Sequence, residues 1–359
     1  MKKYIYIFSK NFTEGSSNLI NLLGGKGANL AEMCRLGIPV PAGFTISSDV
    51  CNYYLKHNAF PKNFKSDLLE AIQKIEEYQK SGFGSPKNPL LFSIRSGARQ
   101  SMPGMMETVL NVGLGKNTIK PLIEKTGNEH FVYDSYRRLI MMYSDVVMDK
   151  AIQKNNPSVF IREKLDAVLL NKKSDLGIKS DCDLSVLELK NLCAVFKDII
   201  LKTLNSSFPD DPFKQLWGAI EAVFLSWNGD RAKKYRQIEN IPNRWGTAVT
   251  IQSMVFGNMG KDSATGVAFT RNPSTGENKF YGEWLPNAQG EDVVAGTRTP
   301  YPINNNSKNE LTKDNITLEN NFPDIYKKLL STKLLLENHY SDMQDIEFTI
   351  ENNKLWMLQ

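Results

Sequence analysis

Apolar residues recur at three- and four-residue spacing along several long segments of the chain, which is the periodicity of amphipathic helices. Elsewhere, short apolar runs lie between turns rich in glycine, proline and asparagine, a pattern typical of β-strands. The pattern therefore predicts an α+β protein. The predicted helices cover residues 28–36, 131–148, 185–204, 213–227 and 325–338, and the predicted strands cover residues 1–8, 247–256, 266–270 and 279–284, with a closing hairpin over 345–359.

Two of these helices carry clear start signals. Ser185 is followed three residues later by Glu188, which matches a capping box in which each side chain satisfies a backbone N–H group. Asp211 precedes Pro212, which predicts an aspartate N-cap and a proline at the first helical position. We therefore expect helices to begin at these two places.

The changes of pattern divide the chain into four predicted segments. Residues 1–114 mix short strands and helices, and residues 115–210 form a helical segment with lysine and asparagine on its solvent faces. Residues 211–245 are expected to return to the first subdomain, and residues 246–359 to form a β-rich C-terminal lobe. Within that lobe, the asparagine-rich stretch 304–321 predicts a loop.

Composition and charge describe an ordinary globular chain. Hydrophobic residues make up 41% and charged residues 23% of the 359 positions, and the formal net charge is +5. The charges are scattered and no basic stripe carries interleaved aromatic residues, so nucleic-acid binding is not expected. No apolar run approaches the ~18 residues that span a bilayer. We therefore expect a cytoplasmic protein with no membrane partner.

Cysteine and histidine chemistry is not indicated. The cysteines have no CxxC spacing and the N-terminal apolar run is too short for a signal peptide, so free thiols in a reducing compartment are expected. No histidine lies in the small-residue setting typical of a mobile phosphocarrier, and no zinc spacing or nucleophilic triad occurs. These residues are Cys34, Cys51, Cys182, Cys193, His57, His130 and His339.

The strongest candidate for a binding segment is the stretch 93–109, which places Arg95 and Arg99 beside closely spaced glycines and then a Met-Pro-Gly-Met-Met sequence. Arginines beside backbone with little side chain are suited to holding a polyphosphate. Alone, such a segment is more often an ordinary surface loop. It becomes a site candidate because the chain has a second basic glycine turn and a C-terminal acidic pair.

The second basic turn is Gly24-Gly25-Lys26-Gly27, which precedes a predicted helix. The first N–H groups and the dipole of a helix favour an anion, and glycines let backbone approach it closely. The spacing is not that of a P-loop. A plain turn explains this segment equally well when it is taken alone.

The acidic pair is Asp345 and Glu347 in the first strand of the closing hairpin. Strand alternation places both on one face, about 7 Å apart, where two carboxylates can hold a hard divalent cation with phosphate oxygens and water. A solvated strand face is the alternative. The glycine-rich segment 257–271 also has two interpretations, since it suits either a flap over nucleotide phosphates or a purely structural hairpin.

Together these segments resemble the N-terminal nucleotide-binding part of the pyruvate, phosphate dikinase family over essentially the whole chain. The resemblance implies an ATP-grasp fold, with β-rich lobes and an inserted helical subdomain that carries no motif. The related phosphoenolpyruvate synthases typically have an acidic run where this chain has Arg99 to Thr108. The similar segments cover residues 24–33, 39–46, 93–113, 246–249, 254–260, 265–273, 287–296 and 342–349.

The resemblance also implies roles for individual residues. Lys26 and Arg95 resemble the catalytic pair that neutralises the triphosphate of ATP, and Gly104 with its neighbouring backbone resembles the loop that contacts the γ-phosphate. Met254 and Val255 resemble an adenine-contacting hinge.

Acidic and amide side chains complete the implied set. Asp345, Glu347 and Gln359 look like the ligands of Mg²⁺ and phosphate, and Glu283 looks like a polar contact for the nucleotide. Mg²⁺ is thus the implied cofactor and ATP the implied substrate.

The family's reaction converts ATP, inorganic phosphate and pyruvate to AMP, pyrophosphate and phosphoenolpyruvate. By resemblance, this part transfers the β,γ-pyrophosphoryl group of ATP to a histidine on a swivelling domain, and phosphate then removes the γ-phosphoryl group. The chain ends at Gln359, where the family continues with Thr-Arg. We therefore expect a monomeric fragment that lacks the histidine and pyruvate-binding domains and cannot complete turnover.

Two alternatives differ in function. One is a phosphoenolpyruvate synthase-like ATP-binding domain, and the other is a non-catalytic nucleotide-binding module. Phosphate-dependent exchange between ATP and AMP, with the carrier domain added in trans, would separate the first from a dikinase. Unchanged ATP affinity and turnover after substitution of Lys26 and Arg95 would favour the second.

Overall fold

The computed structural model describes residues 2–150, 160–294, 296, 298–308, 312 and 314–359. These residues form two units, each with its own sheet and core. The first unit comprises Met1–Phe8, Phe12–Ala31 and Ala42–Met254, and the second comprises Ser9–Asn11, Glu32–Pro41 and Val255–Gln359.

The first unit is built on a five-stranded antiparallel sheet in the order β1-β2-β7-β5-β6. Every residue of β2, β5 and β7 is buried, so both faces of these strands are covered. A short parallel pair, β3 and β4, lies outside this sheet. The strands are β1 (Ile5–Phe8), β2 (Gly43–Ile46), β3 (Gly82–Phe83), β4 (Pro89–Leu90), β5 (Phe92–Gly97), β6 (Thr108–Val112) and β7 (Ala248–Ser253).

Helices surround this sheet, and those of the central part of the chain lie in the segment predicted to be helical. Residues 151–159 of that segment lie outside the described residues. A π-helical stretch, Ser144–Asp149, continues α5. Helix α1 (Ile20–Arg35) begins in the first unit, and its residues from Glu32 onwards belong to the second. The other helices of the first unit are α2 (Ser48–His57), α3 (Phe64–Gln79), α4 (Ile119–Thr126), α5 (Glu129–Tyr143), α6 (Ile161–Leu176), α7 (Val186–Leu204), α8 (Pro212–Ser226) and α9 (Asp230–Ile238).

Both predicted helix starts are confirmed. The Ser185 and Glu188 side chains cap each other's backbone N–H groups at the start of α7. Asp211 accepts a hydrogen bond of 2.9 Å from the backbone N–H of Lys214, directly before α8. Local capping chemistry was therefore sufficient to locate these helix ends.

A buried ion pair lies within the helical segment. Asp134 accepts from Arg137 at 2.7 Å and from Arg138 at 2.8 Å, and Asp134 and Arg137 are almost inaccessible to solvent. Burial alone would raise the pKa of Asp134, but the two guanidinium groups hold it below its usual value. The pair satisfies charges that would otherwise be costly inside this part of the fold.

The second unit contains another five-stranded antiparallel sheet, in the order β10-β9-β8-β11-β12. The predicted closing hairpin is confirmed: Asn352 and Asn353 both have positive φ, at 48° and 60°, between its two strands. Its elements are β8 (Ala264–Phe269), β9 (Tyr281–Pro286), α10 (Gly290–Val294), β10 (Tyr301–Pro302), α11 (Leu318–Asn321), α12 (Pro323–Tyr340), β11 (Asp345–Glu351) and β12 (Lys354–Met357).

Strand β11 alternates as predicted. Ile346, Phe348 and Ile350 are fully buried on one side, whereas Asp345 is exposed and Glu347 half-buried on the other. Thr349 is on the acidic side but only 3% exposed, so the open part of that face is confined to its first residues. The acidic pair therefore lies at the start of the strand.

Two differences from the sequence pattern concern the C-terminal half. Strand β7, grouped by pattern with the C-terminal lobe, pairs with β2 and β5 in the sheet of the first unit. The predicted loop 304–321 contains a 3₁₀ turn, Asn305–Ser307, and helix α11, while 309–311 and 313 lie outside the described residues. The division into four segments stays a prediction.

The cysteines form no disulfide bonds among themselves. All four cysteines are free thiols, and burial raises the pKa of Cys51 and of Cys193 to about 12. Within the described ranges, no helix combines the length and apolar character needed to cross a bilayer.

Candidate functional site

The turn before Lys26 lies directly against the end of β5. The backbone N–H of Gly25 donates a hydrogen bond of 2.8 Å to the carbonyl oxygen of Ala98, just beyond that strand. Helix α1 is interrupted at Gly24, whose φ of 67° and ψ of 174° are not helical. The half-buried Lys26 therefore lies in the first turn after this break, near the strand that carries Arg95.

The glycines of this turn are required by close packing. A Cβ atom on Gly24 would lie 1.8 Å from the carbonyl oxygen of Gly97, and one on Gly27 would lie 2.6 Å from Oγ1 of Thr45. Gly24 also needs a positive φ, which non-glycine residues adopt only with strain. The helix that follows Lys26 can approach the sheet this closely only without side chains here.

We expect Gly24→Ala to lower the free energy of unfolding by about 3 kcal/mol or more, from backbone strain and overlap together. Gly37→Ala is the matched control, because Gly37 has a φ of 76° but no atom within 4 Å of its hypothetical Cβ. The control is expected to lose only about 1–2 kcal/mol. Urea unfolding of both variants measures the difference, and equal losses would show that contact with Gly97 is unimportant.

Arg95 is held inside the first sheet in a fixed position. It is 8% exposed, and its Nη2 donates a hydrogen bond of 2.5 Å to Oε1 of Gln252 on β7. The register places Arg95 between Thr250 and Thr108. The sequence did not single out Gln252 as a neighbour of Arg95, because the strand pattern cannot show which residue of another strand meets it.

The loop after β5 is anchored at both ends. Met102 is 7% exposed and packs in a cluster with Trp227, Ala232 and Ile241. At the other end, Glu107 forms an ion pair with Lys150, and its N–H lies 3.4 Å from Oγ of Ser226. Met102 and Glu107 therefore fix the two ends of the loop to the unit that carries it.

Gly104 lies at the exposed tip of this loop. Its φ is 68°, and a Cβ atom there would meet no atom within 4 Å. The N–H of Met105 closes the turn by donating to the carbonyl oxygen of Met102 at 3.2 Å. Gly104 is therefore required by its backbone conformation rather than by contact with a neighbour, which leaves the tip accessible.

The acidic residues of the second unit share one face of its sheet. Glu347 on β11 pairs with Val267 on β8, and Val267 in turn pairs with Glu283 on β9. Directly paired residues of antiparallel strands point to the same side. Glu283 and Glu347 are thus separated by one strand, or about 10 Å, with Asp345 on the same face.

Gln359 is brought beside Glu347 by backbone hydrogen bonds. The N–H of Glu347 donates to the carbonyl oxygen of Gln359 at 3.0 Å, and the N–H of Leu358 donates to that of Glu347 at 2.8 Å. Oε1 of Gln359 is shielded from solvent and accepts no hydrogen bond within the described part of the chain. It is an oxygen atom available to a cation.

The electrostatics of the acidic pair also fit a cation. Partial desolvation raises the pKa of Asp345 above its ordinary value even though the residue is exposed, and the neighbouring Glu347 raises it further, while a hydrogen bond from the backbone of Ile346 opposes both. Two carboxylates and one amide oxygen are hard ligands of the kind that Mg²⁺ binds. Among the residues described, no three His, Cys, Asp or Glu side chains cluster around a common point.

The two remaining predicted residues, Met254 and Val255, are adjacent but belong to different units. Both are half-buried, and the N–H of Met254 donates to the carbonyl oxygen of Leu91 at 2.9 Å. The predicted site residues are divided between the units. The first unit carries Lys26, Arg95, Gly104 and Met254, and the second carries Val255, Glu283, Asp345, Glu347 and Gln359. Their roles stay predictions.

Comparison with known proteins identifies relatives over the full chain. A pyruvate, phosphate dikinase from Rhizobium meliloti is 49% identical, one from Clostridium symbiosum is 48% identical, and a chloroplastic one from Zea mays is 47% identical, each over 100% of this chain. The chain spans 39%, 38% and 36% of the lengths of these relatives, respectively.

A family model supports the same conclusion from a different comparison. The model described as "Pyruvate phosphate dikinase, AMP/ATP-binding domain" matches residues 20–66 and 59–322. These ranges contain the glycine turn, the Arg95 strand and the loop with Gly104. Because the match covers most of the chain, the chain belongs to the family of pyruvate phosphate dikinase AMP/ATP-binding domains.

Proposed function

We propose that this chain has an ATP-grasp fold and binds Mg-ATP as the nucleotide-binding part of a pyruvate, phosphate dikinase. The observation that carries this proposal is the contact between the turn before Lys26 and the end of the Arg95 strand, through the 2.8 Å hydrogen bond from Gly25 to Ala98. It brings a helix N-terminus, a lysine and an arginine strand together in one unit. Such a combination suits a polyphosphate.

Lys26 and Arg95 would neutralise the charge of the triphosphate. Arg95 is held in position by Gln252 before any ligand arrives, so little side-chain entropy is lost on binding. Its burial lowers the local dielectric and strengthens its attraction for phosphate oxygens. Gly104 would contact the γ-phosphate through the backbone of its exposed turn.

Asp345, Glu347 and Gln359 would hold Mg²⁺. Bound Mg²⁺ would supply neutralising charge and a fixed orientation for the phosphate oxygens. The orphaned Oε1 of Gln359 and the mutual repulsion of the two carboxylates both favour a cation there. Glu283 would add a polar contact to the nucleotide, and Met254 with Val255 would contact adenine.

The complete reaction would require parts beyond this chain. The β,γ-pyrophosphoryl group of ATP would pass to a histidine on another domain, and inorganic phosphate would then accept the γ-phosphoryl group to form pyrophosphate. The remaining phosphoryl group would pass to pyruvate. Positioning and charge neutralisation by this chain would lower the barrier to the first of these steps.

Calorimetric titration with ATP, with and without Mg²⁺, tests the proposal. We expect ATP to bind more tightly with Mg²⁺ present, and AMP, which lacks the β- and γ-phosphates, to bind at least about tenfold more weakly. Absence of ATP binding under both conditions would refute the proposal. Equal affinity for ATP and AMP would refute the triphosphate role of Lys26 and Arg95.

The alternatives are separated by adding a carrier domain in trans. A dikinase domain would support exchange between ATP and AMP that depends on inorganic phosphate, whereas a synthase-like domain would not show that dependence. A non-catalytic nucleotide-binding module would bind ATP but support no exchange with either acceptor.

A further inference from the structure

Two arginines at one end of the first sheet have no carboxylate partner among the described residues. Arg99 lies two residues beyond β5, with its guanidinium carbon 5.2 Å from the ring centre of Trp245. Arg244 immediately precedes that tryptophan in the 3₁₀ turn Asn243–Trp245. Both arginines lie at the same end of the sheet, because Gly97, the last residue of β5, pairs with Ala248, the first residue of β7.

Two buried arginines of this unit, Arg236 and Arg137, are matched by acceptors. Arg236 lies 4.1 Å above the Trp227 ring, donates from Nε to Oδ1 of Asn243 at 3.0 Å, and donates from Nη1 to the carbonyl oxygen of Trp227. Arg137 is paired with Asp134 at 2.7 Å. The guanidinium groups of Arg236 and Arg137 thus have acceptors supplied by the fold.

Arg99 differs from these residues. Its Nε is shielded from solvent and donates to no acceptor in the part of the chain that the structure describes. Asp49 is the acidic group whose charge acts on Arg99, and its carboxylate lies 3.0 Å from Nζ of Lys2. A donor left in this state carries a desolvation cost that a bound anion would remove.

The positive charges of the two arginines act on each other. Burial lowers the pKa of Arg99, the charge of Asp49 raises it, and the charge of Arg244 lowers it again. Arg244 itself is exposed, and its backbone is fixed by a hydrogen bond of 3.1 Å from Nδ2 of Asn52 to its carbonyl oxygen. An anion placed near both guanidinium groups would relieve their repulsion.

We propose that Arg99 and Arg244 bind a phosphate oxyanion, with Arg99 oriented by stacking on Trp245. A planar guanidinium matches the oxygens of phosphate with two parallel hydrogen bonds, and stacking on an aromatic ring limits its freedom. Arg99 directly follows Ala98, which accepts from Gly25 next to Lys26. The site thus adjoins the proposed triphosphate residues, and its biological role rests on the proposed function.

The oxyanion can be free inorganic phosphate or the terminal phosphoryl group of the nucleotide. If the site binds free phosphate, phosphate should bind in the presence of saturating MgADP, and loss of Arg99 should leave the affinity for MgATP unchanged. If the site binds the terminal phosphoryl group of the nucleotide, loss of Arg99 should weaken MgATP binding about tenfold and leave the affinity for MgADP unchanged.

The test is calorimetric titration of the full chain with inorganic phosphate, with MgADP and with MgATP. The variants are Arg99→Met and Arg244→Met, and the matched control is Arg162→Met, because Arg162 is exposed and paired with Asp166 at 2.8 Å. We expect phosphate or MgATP affinity to fall at least about tenfold in both variants and to be unchanged in the control.

Equal affinities of the wild type and both variants for phosphate and MgATP would overturn the proposal. So would full binding of both phosphate and MgATP in Arg99→Met when Lys26→Ala loses both. If Arg99→Met fails to fold, Arg99→Lys and the exposed Arg244→Met carry the test, and Arg99→Lys is expected to bind more weakly than wild type because lysine lacks the planar fork.

The two proposals fail in different ways. Binding of inorganic phosphate that depends on Arg99, without any binding of MgATP, would refute the proposed function and leave the oxyanion site intact. Binding of MgATP that is insensitive to Arg99 and Arg244, with no phosphate binding, would refute the oxyanion site alone.

Discussion

Replacing Arg95 with methionine is expected to lower the affinity for MgATP by about two orders of magnitude. The variant removes a buried positive charge and the hydrogen bonds to phosphate that we propose for it, each worth about 1.5–3 kcal/mol when one partner is charged. Methionine fills a similar volume, so the sheet around position 95 keeps its packing. Calorimetric titration of the wild type and the variant measures the change.

Two further variants show whether the effect is specific. Arg95→Lys keeps the charge but loses the planar fork, so its affinity is expected to fall between those of the wild type and Arg95→Met. Arg271→Met removes an arginine whose guanidinium is paired with Glu337 in the second unit, and should leave MgATP binding unchanged. Wild-type affinity in Arg95→Met, with the fold intact by circular dichroism, would remove Arg95 from the proposed site.

The second large effect concerns the carboxylates of β11. Glu347→Gln is expected to abolish most of the proposed increase in ATP affinity with Mg²⁺, a loss of about tenfold or more, because one of the two proposed charged ligands becomes a neutral amide. Binding of ATP without Mg²⁺ should change little. Asp324→Asn is the control, since Asp324 is an exposed residue near the start of α12. A full Mg²⁺ effect in Glu347→Gln would refute the metal role.

The same pair predicts a pH dependence of stability. The pKa of Asp345 is raised in the folded chain, first by burial and then by Glu347, so its ionised form is less favourable when folded. Stability is therefore lost as pH rises from the unfolded value of 3.8 through the folded value. Without Mg²⁺, Asp345→Asn should melt at a higher temperature than wild type at pH 7, with the gain vanishing below pH 3.8. A constant gain across this range would contradict it.

Local chemistry made much of the fold predictable. Capping boxes and proline at a helix start act within four residues, so Ser185 and Asp211 could be identified without any tertiary information. The alternation of β11 and the closing hairpin are likewise short-range, and both were correctly predicted. The glycine turn and the Arg95 strand could also be found as candidate segments, because their residue types are unusual together.

Long-range pairing could not be predicted in the same way. Arg95 and Gln252 are 157 positions apart in the sequence, and nothing in either strand indicates the register that joins them. The same holds for β7, whose buried residues suit any sheet covered on both faces. Its assignment to the first sheet depends on the strands available on either side.

The sequence by itself determined the family motifs, the helix starts, the acidic strand and the glycine-rich candidate segments. The tertiary structure decided which groups meet: Gly25 with Ala98, Arg95 with Gln252, Arg99 with Trp245, and Gln359 with Glu347. The physical reason is that dihedral preferences and capping act within a few residues, whereas the register of a sheet is set by the burial of all its strands at once.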